Sequence, residues 1–417
     1  MNKCIEFQNV ELWLNESLQS FDRIKVENGV WVDEFSSKQD VEVIDARGAW
    51  GLPLLTELDV DFMEPGSEEV YDLKKGQQAM LKGGFGSALL SPTSQSVLDD
   101  AALAEWYNAR LEKLDVDIKL AGAISRGGEM KVLSEIHEMK SEGVEYLSGG
   151  LVELPKIAFL RSLMEYSTGV CKRLFIYPFA KEFAGPHNIH EGWIAERFGL
   201  RGIPEEAETV GVHKILSLAK MTHCKIHLLH ITSIKSIEII EGFRKEGLDV
   251  TFDVSLMNIL HSVEELKDEL KTVYHVTPPL RPFSWKEGLL EKIKSGSVNA
   301  LSCVHRPVLS ENKIEFFEAS YPGVVGLETA FAASLSIGFS LSEALELWVK
   351  GPRKVLDLET SGFEKGKKLE FFLFSADTNK MWEAKDIVGS VSNSPFMQKS
   401  LKGVVLGSFK NSNYYLA

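Results

Sequence analysis

Two textures of hydrophobic and polar residues divide the chain. Over residues 4–45 the positions alternate nearly one by one, as in Ile5-Glu-Phe-Gln-Asn-Val-Glu-Leu-Trp13, Asp22-Arg-Ile-Lys-Val26 and Val41-Glu-Val-Ile44. A period of two is that of a strand with one buried face. Glu27-Asn-Gly29 between two such runs predicts a hairpin turn. An antiparallel sheet with no helix is expected there.

From residue 53 onward, short apolar runs take over, separated by stretches of helical period. The runs fall at 54–61, 85–91, 117–124, 144–149, 173–178, 225–230, 248–255 and 298–304. Helical patterns lie between most of them, at 99–113, 130–141, 157–169, 205–222 and 233–246. The helix over 205–222 opens with the acids Glu205, Glu206 and Glu208, which suit the positive end of a helix dipole. Such alternation predicts an α/β fold with a (β/α)8 barrel. A doubly wound open sheet is the alternative, although no Gly-x-Gly-x-x-Gly turn follows any strand. After a helical 341–350, strand patterns return at 368–374 and 401–409. Both ends therefore read as one composite β-sandwich, residues 1–52 plus 365–417, flanking a barrel at 53–364.

Asp59 and Asp61 end the first barrel run. Residues two apart on a strand project the same way, so both acids are expected at the carboxyl end of the barrel, where such folds keep their chemistry.

Composition narrows the partners more than the fold. At 417 residues, 44% hydrophobic and 25% charged, the chain has the balance of a globular protein. A net charge of −14 disfavours nucleic acid and anionic membranes. The four cysteines, Cys4, Cys171, Cys224 and Cys303, form no CxxC pair, which argues against a disulfide framework or a thiolate zinc site. Neither a signal core nor a membrane-length apolar run is present, so the cytoplasm is the expected compartment.

Asp59-Val-Asp-Phe-Met-Glu-Pro-Gly66 resembles the first-strand His-x-His-x-Arg-x-Pro-Gly motif of dihydroorotases of the amidohydrolase superfamily, multifunctional-complex type. Val43-Ile-Asp-Ala-Arg-Gly48, Gly83-Gly-Phe85, Ser91-Pro-Thr-Ser94 and the segment from Gly199 to Glu208 resemble further family segments. So do His227-Leu-Leu-His-Ile-Thr-Ser233, Thr277-Pro-Pro-Leu-Arg281 and Gly326-Leu-Glu-Thr329. The resemblance runs nearly end to end and implies a metal-dependent barrel with a composite β-sandwich. It also implies hydrolysis of a cyclic amide by zinc-bound hydroxide, in pyrimidine biosynthesis.

Carried over position by position, the catalytic set is mostly gone. The two first-strand histidines are Asp59 and Asp61, the substrate-gripping arginine is Met63, and the asparagine of Met-Pro-Asn is Thr93. The mid-chain acid or modified lysine has given way to Ser148-Gly-Gly-Leu151, and the fifth-strand histidine to Tyr177. His230 survives. The last-strand Asp-His-Ala-Pro-His is Val304-His-Arg-Pro-Val308, which leaves His305 and Arg306 beside a valine where the proton carrier belongs. Valine transfers no proton.

The expected vestigial pocket is therefore Asp59, Asp61, Met63, Thr93, Tyr177, His230, Val304, His305 and Arg306, with no catalytic residue and no resident metal. Asp59 and Asp61 are expected to face water or to bond Arg306 or backbone amides. Arg306 is expected to fill the site, and His230 to be a hydrogen-bonded core residue. Structural roles are also expected for His305, and surface or capping roles for His187 and His190. Ser148 lacks the context of a serine hydrolase nucleophile.

Three functions compete on this reading. The leading one is a pseudoenzyme, a structural or regulatory subunit of aspartate carbamoyltransferase; the resemblance implies that partner, and a homodimer. The second is an active hydrolase holding zinc or another divalent ion on Asp59, Asp61 and His230. The third is a non-catalytic small-molecule binder.

Overall fold

The computed structural model describes residues 3–36, 40–185, 187–313, 316–359, 362–389, 391 and 393–417. Five strands open the chain: β1 (Cys4–Leu14), β2 (Ser17–Glu27), β3 (Val30–Val32), β4 (Val41–Asp45) and β5 (Trp50–Pro53). Eight follow: β6 (Leu55–Val60), β7 (Phe85–Leu90), β8 (Asp117–Ala123), β9 (Tyr146–Ser148), β10 (Arg173–Ile176), β11 (Ile226–Ile231), β12 (Val250–Ser255) and β13 (Ala300–Ser302). The last three are β14 (Phe371–Met381), β15 (Ser400–Lys410) and β16 (Asn413–Leu416).

Strands from both termini share one hydrogen-bonded sheet in the order β16-β15-β14-β5-β1-β2-β3, with β4 also paired to β1. The β2–β3 hairpin turns at Asn28 and Gly29, whose φ values of 51° and 80° suit the predicted Asn-Gly turn. This sheet has its own core, in which Phe7 packs edge-on against Phe371 and Phe409. Antiparallel pairing of β14 with β5, Phe372 opposite Leu52, joins the carboxyl-terminal strands to the segment entering the barrel.

β6 to β13 form a second, parallel eight-stranded sheet in strict sequence order. β6, β7 and β11 are buried at every residue, as expected of parallel strands covered on both faces. The sheet closes on itself: Val60 pairs in parallel with His305, and the Asp61 amide donates to the His305 carbonyl at 3.1 Å. Closure makes a barrel and excludes the open doubly wound alternative. Helices predicted over 99–113, 157–169, 205–222 and 233–246 form at Ala101–Leu111, Ile157–Ser167, Glu206–Thr222 and Ile234–Lys245. The pattern over 130–141 is helical only at Ile136–Ser141, because Met130 holds a left-handed φ of 57° and Leu133 bridges back to Ser125. The helix predicted to end at residue 350 continues to Val355 through a wider turn at Glu346–Lys350.

Candidate functional site at the barrel mouth

Asp59 lies on β6 and Asp61 just beyond it, and the chain after β13 brings Arg306 to both. One guanidinium nitrogen, Nη2, donates to the two Asp59 carboxylate oxygens at 3.0 and 2.8 Å. The other, Nη1, lies 3.8 Å from Asp61 Oδ2. Asp61 is otherwise satisfied by the Met63 amide at 2.9 Å and the Thr93 hydroxyl at 2.5 Å. Thr93 is seated by Gly150, where an added Cβ would fall 2.6 Å from its methyl and where φ is +68°. Asp59 and Asp61 are each only 2% exposed, so both are largely withdrawn from bulk water.

His230 completes the cluster from β11. Its Nε2 bonds Asp59 Oδ2 at 2.9 Å and its Nδ1 bonds Asp253 Oδ1 at 2.7 Å. Asp253, on β12, also accepts from the His230 amide at 3.0 Å and from His227 Nε2 at 2.9 Å. In a regular strand residues 227 and 230 would point to opposite faces. β11 slips register against β12 between Leu228 and Ile231, and His230 takes a left-handed φ of 54°, which turns both rings onto one carboxylate.

The charges follow from this geometry. Burial opposes the His230 cation, but the Asp253 carboxylate and hydrogen bonds to Asp253 and Asp59 outweigh it and raise its pKa to about 10. Burial would raise Asp253 and Asp59; the charges of His230 and Arg306, respectively, hold both below the ordinary carboxylate range instead. Burial opposes the Arg306 charge as well, and Asp59 and Asp61 more than restore it. The mouth is thus an alternating run of anions and cations.

The other expected residues are placed as follows. His305 packs edge-on between Phe62 and Tyr71, its Nδ1 accepting from the Gly326 amide at 3.4 Å. Burial, then the Arg306 charge, lower its pKa to about 3, so the ring is neutral. Val304 is buried in an apolar cluster with φ of 51°, and Met63 has φ of 59°. Tyr177 is buried and stacked on Phe179; among the described hydrogen bonds, none joins it to the acids. Ser148 Oγ accepts from the Gly150 amide at 3.0 Å, a structural bond.

A surface or capping role does not hold for His190. It bonds Arg281 Nη1 at 3.1 Å and meets Trp285 edge-on, and burial followed by the Arg281 charge lowers its pKa to about 4. The reason is Arg281 itself, which is buried and also donates to Thr232 Oγ1 at 2.9 Å and to Glu208 at 3.5 Å.

Glu57, Asp253, His227 and Glu328 went unpredicted. Glu57 Oε2 accepts from the Cys303 amide at 2.8 Å, and burial pushes its pKa up to about 7. Period two would set Glu57, Asp59 and Asp61 on one face, but β6 slips register against β7 between Glu57 and Val60, so the alternation does not carry through. Asp253 and His227 had no signal: they meet across β11 and β12, His227 lying opposite Thr251, and no local pattern marks which strands pair.

Residues 50–236 match a family model described as dihydro-orotase-like. Over those residues the chain is similar to dihydroorotases. It is 27% identical to a dihydroorotase of Carboxydothermus hydrogenoformans, covering 97% of this chain and 95% of that one. It is 29% identical to a dihydroorotase of Caldicellulosiruptor saccharolyticus (88% and 86% covered) and 28% identical to a dihydroorotase-like protein of Pseudomonas putida (87% and 86%). Its fold is that of an L-hydantoinase (dihydropyrimidinase) from Arthrobacter aurescens, with a TM-score of 0.82 at 17% identity over 98% of this chain and 95% of that one. No helix among the described residues is long and apolar enough to cross a membrane.

Zinc is the ion such a barrel implies, and the residues of this dihydroorotase-like chain do not fit it. Both nitrogens of His230 are committed to carboxylates, and Asp59 is committed to Arg306. Among the described residues, no group of three or more His, Cys, Asp and Glu side chains is arranged to hold a metal ion. A guanidinium stands among the acids in place of an exchangeable cation. It is charged at all working pH values and accepts no proton.

Proposed function

We propose that this dihydroorotase-like chain is catalytically silent and serves in the cytoplasm as a structural subunit beside aspartate carbamoyltransferase, in pyrimidine synthesis, as a homodimer. The observation that carries the silent reading is the double engagement of Asp59 by Arg306 at 2.8 Å and by His230 at 2.9 Å. These contacts occupy the ligand set that a hydrolase would need open, and Val304 supplies no base. The partner rests on the family resemblance. Co-expression with the aspartate carbamoyltransferase of the same organism, followed by affinity capture and gel filtration, tests it. Co-elution at a fixed ratio supports the proposal; separate peaks at micromolar concentration contradict it.

A second reading has one observation in its favour. A cavity of about 200 Å3 remains at the mouth, lined by Asp61, Thr93, Arg306 and the apolar Leu151, Val276 and Val304. A small polar molecule seated there would raise the unfolding temperature, because it binds only the folded state. Dihydroorotate and carbamoyl aspartate are the probes; no shift with either removes this reading for those compounds.

A further inference from the structure

The cluster at the mouth is one end of a longer chain of contacts. Below Asp253, His227 Nδ1 lies 2.8 Å from Thr251 Oγ1. Thr251 borders a second cavity, of about 700 Å3, at the amino-terminal end of the barrel, with Arg173, Asp249, Asn299 and Lys354 among its walls. The sequence Thr251, His227, Asp253, His230, Asp59, Arg306 therefore spans the barrel interior. Each link is 3.0 Å or shorter: 2.8, 2.9, 2.7, 2.9 and 2.8 Å. Its four inner members, from His227 to Asp59, are at most 2% exposed.

Proton positions along the chain follow from its partners. Asp253 receives three donors and acts as the anionic acceptor, so His227 presents Nε2–H to it. Burial holds His227 below its ordinary pKa, which leaves the ring neutral and Nδ1 an acceptor. Thr251 is the donor within reach, and its other acceptor is the Ile226 carbonyl at a longer 3.4 Å. His230, charged, donates at both ends.

We propose that this series is a through-barrel relay, in which the Thr251 hydroxyl at the lower cavity, donating to His227 Nδ1, polarises the Nε2–H that His227 gives Asp253 and thereby sets the strength of the hydrogen bonds that join His230, Asp59 and Arg306 at the mouth. Hydrogen bonds in series polarise one another in a low-dielectric interior, so a change at one end is felt along the series. The far end of the series, at Arg306, is where that coupling is read. Thr251 is a positioning residue here. The lower cavity becomes a port from which the mouth can be modulated without contact to it.

Nitrogen-15 spectra of the full chain, labelled selectively at histidine and arginine, test this with Thr251→Val and Thr251→Ser. In Thr251→Val the His227 Nδ1 signal should move toward that of an unbonded acceptor. The His230 Nδ1–H proton and the Arg306 guanidinium signals should move with it, by more than their linewidths. Thr251→Ser, which keeps the donor, should restore all three. Movement of the His227 signal while those of His230 and Arg306 stay fixed would overturn the relay, as would equal shifts in both variants. If Thr251→Val does not fold, Thr251→Ser against Thr251→Cys, a weaker donor, gives the same comparison on a graded scale.

Discussion

Arg306 and Asp59 form a buried ion pair with one guanidinium nitrogen 2.8 and 3.0 Å from the two carboxylate oxygens. The partners lie 247 residues apart in sequence, on the segment that closes the barrel and on its first strand. The pair therefore joins the seam of the barrel as well as filling its mouth. Its net stabilisation is small by comparison with its sensitivity, because desolvation of both ions offsets most of their attraction.

Breaking it from one side should be costly. Arg306→Met leaves the buried Asp59 with His230 alone and takes the guanidinium from Asp61, and removal of one member of a buried pair typically costs about 3–5 kcal/mol. The urea midpoint should fall accordingly. Asp59→Asn combined with Arg306→Met should recover part of that loss, since the orphaned charge is gone. A midpoint unchanged in the single variant would mean that the pair is not formed.

Glu328 gives the chain a pH signature. It is buried, its Oε1 accepts from the Val388 amide at 3.0 Å, its Oε2 has no hydrogen-bond partner, and burial raises its pKa to about 7 from 4.5. A raised folded-state pKa means that the folded state holds the proton longer than the unfolded one. The stabilising contribution is fully present below about 4.5 and is lost as pH rises to about 7. Glu328→Gln should therefore match the parent near pH 4.5 and exceed it above pH 7, by on the order of 1–3 kcal/mol. Denaturation curves at the two pH values check this; an equal difference at both would contradict it.

Val304 carries a left-handed backbone, φ of 51°, in a β-branched residue that resists it. At ordinary positions Ala is more stable than Gly by about 0.5–1 kcal/mol. Here the order should reverse: Val304→Gly should be at least as stable as Val304→Ala, because only glycine relieves the strain. Urea midpoints of the two variants decide it. Aspartate, which the resemblance implies at this position, would tolerate this conformation better than valine does.

Most of the architecture was legible in the sequence because it rests on local periodicity. The eight apolar runs are the eight barrel strands, and Asn28-Gly29 turns where the dipeptide predicts. The meeting of Asp59, Asp61 and Arg306 was also legible, since strand alternation and the family register place all three at one end. What was lost depends on departures from regular geometry. The slip between Leu228 and Ile231 turns His230 onto the carboxylate that His227 already meets, and no periodicity encodes a slip. His190 looked superficial because its partner, Arg281, lies 91 residues away. Glu57 was hidden by its setting, an acid inside a run whose neighbours are apolar.

Arg306 and His230 saturate Asp59 at the barrel mouth, and the function proposed above follows from it: a chain that neither holds a catalytic metal nor opens a cyclic amide. The most direct measurement is metal content and dihydroorotate ring opening on one preparation, purified without chelator and supplied in turn with zinc and manganese. Far less than one bound ion per chain is expected, with turnover indistinguishable from the buffer with either metal. One tightly held ion per chain together with metal-dependent ring opening, both lost on Asp59→Asn, would contradict it.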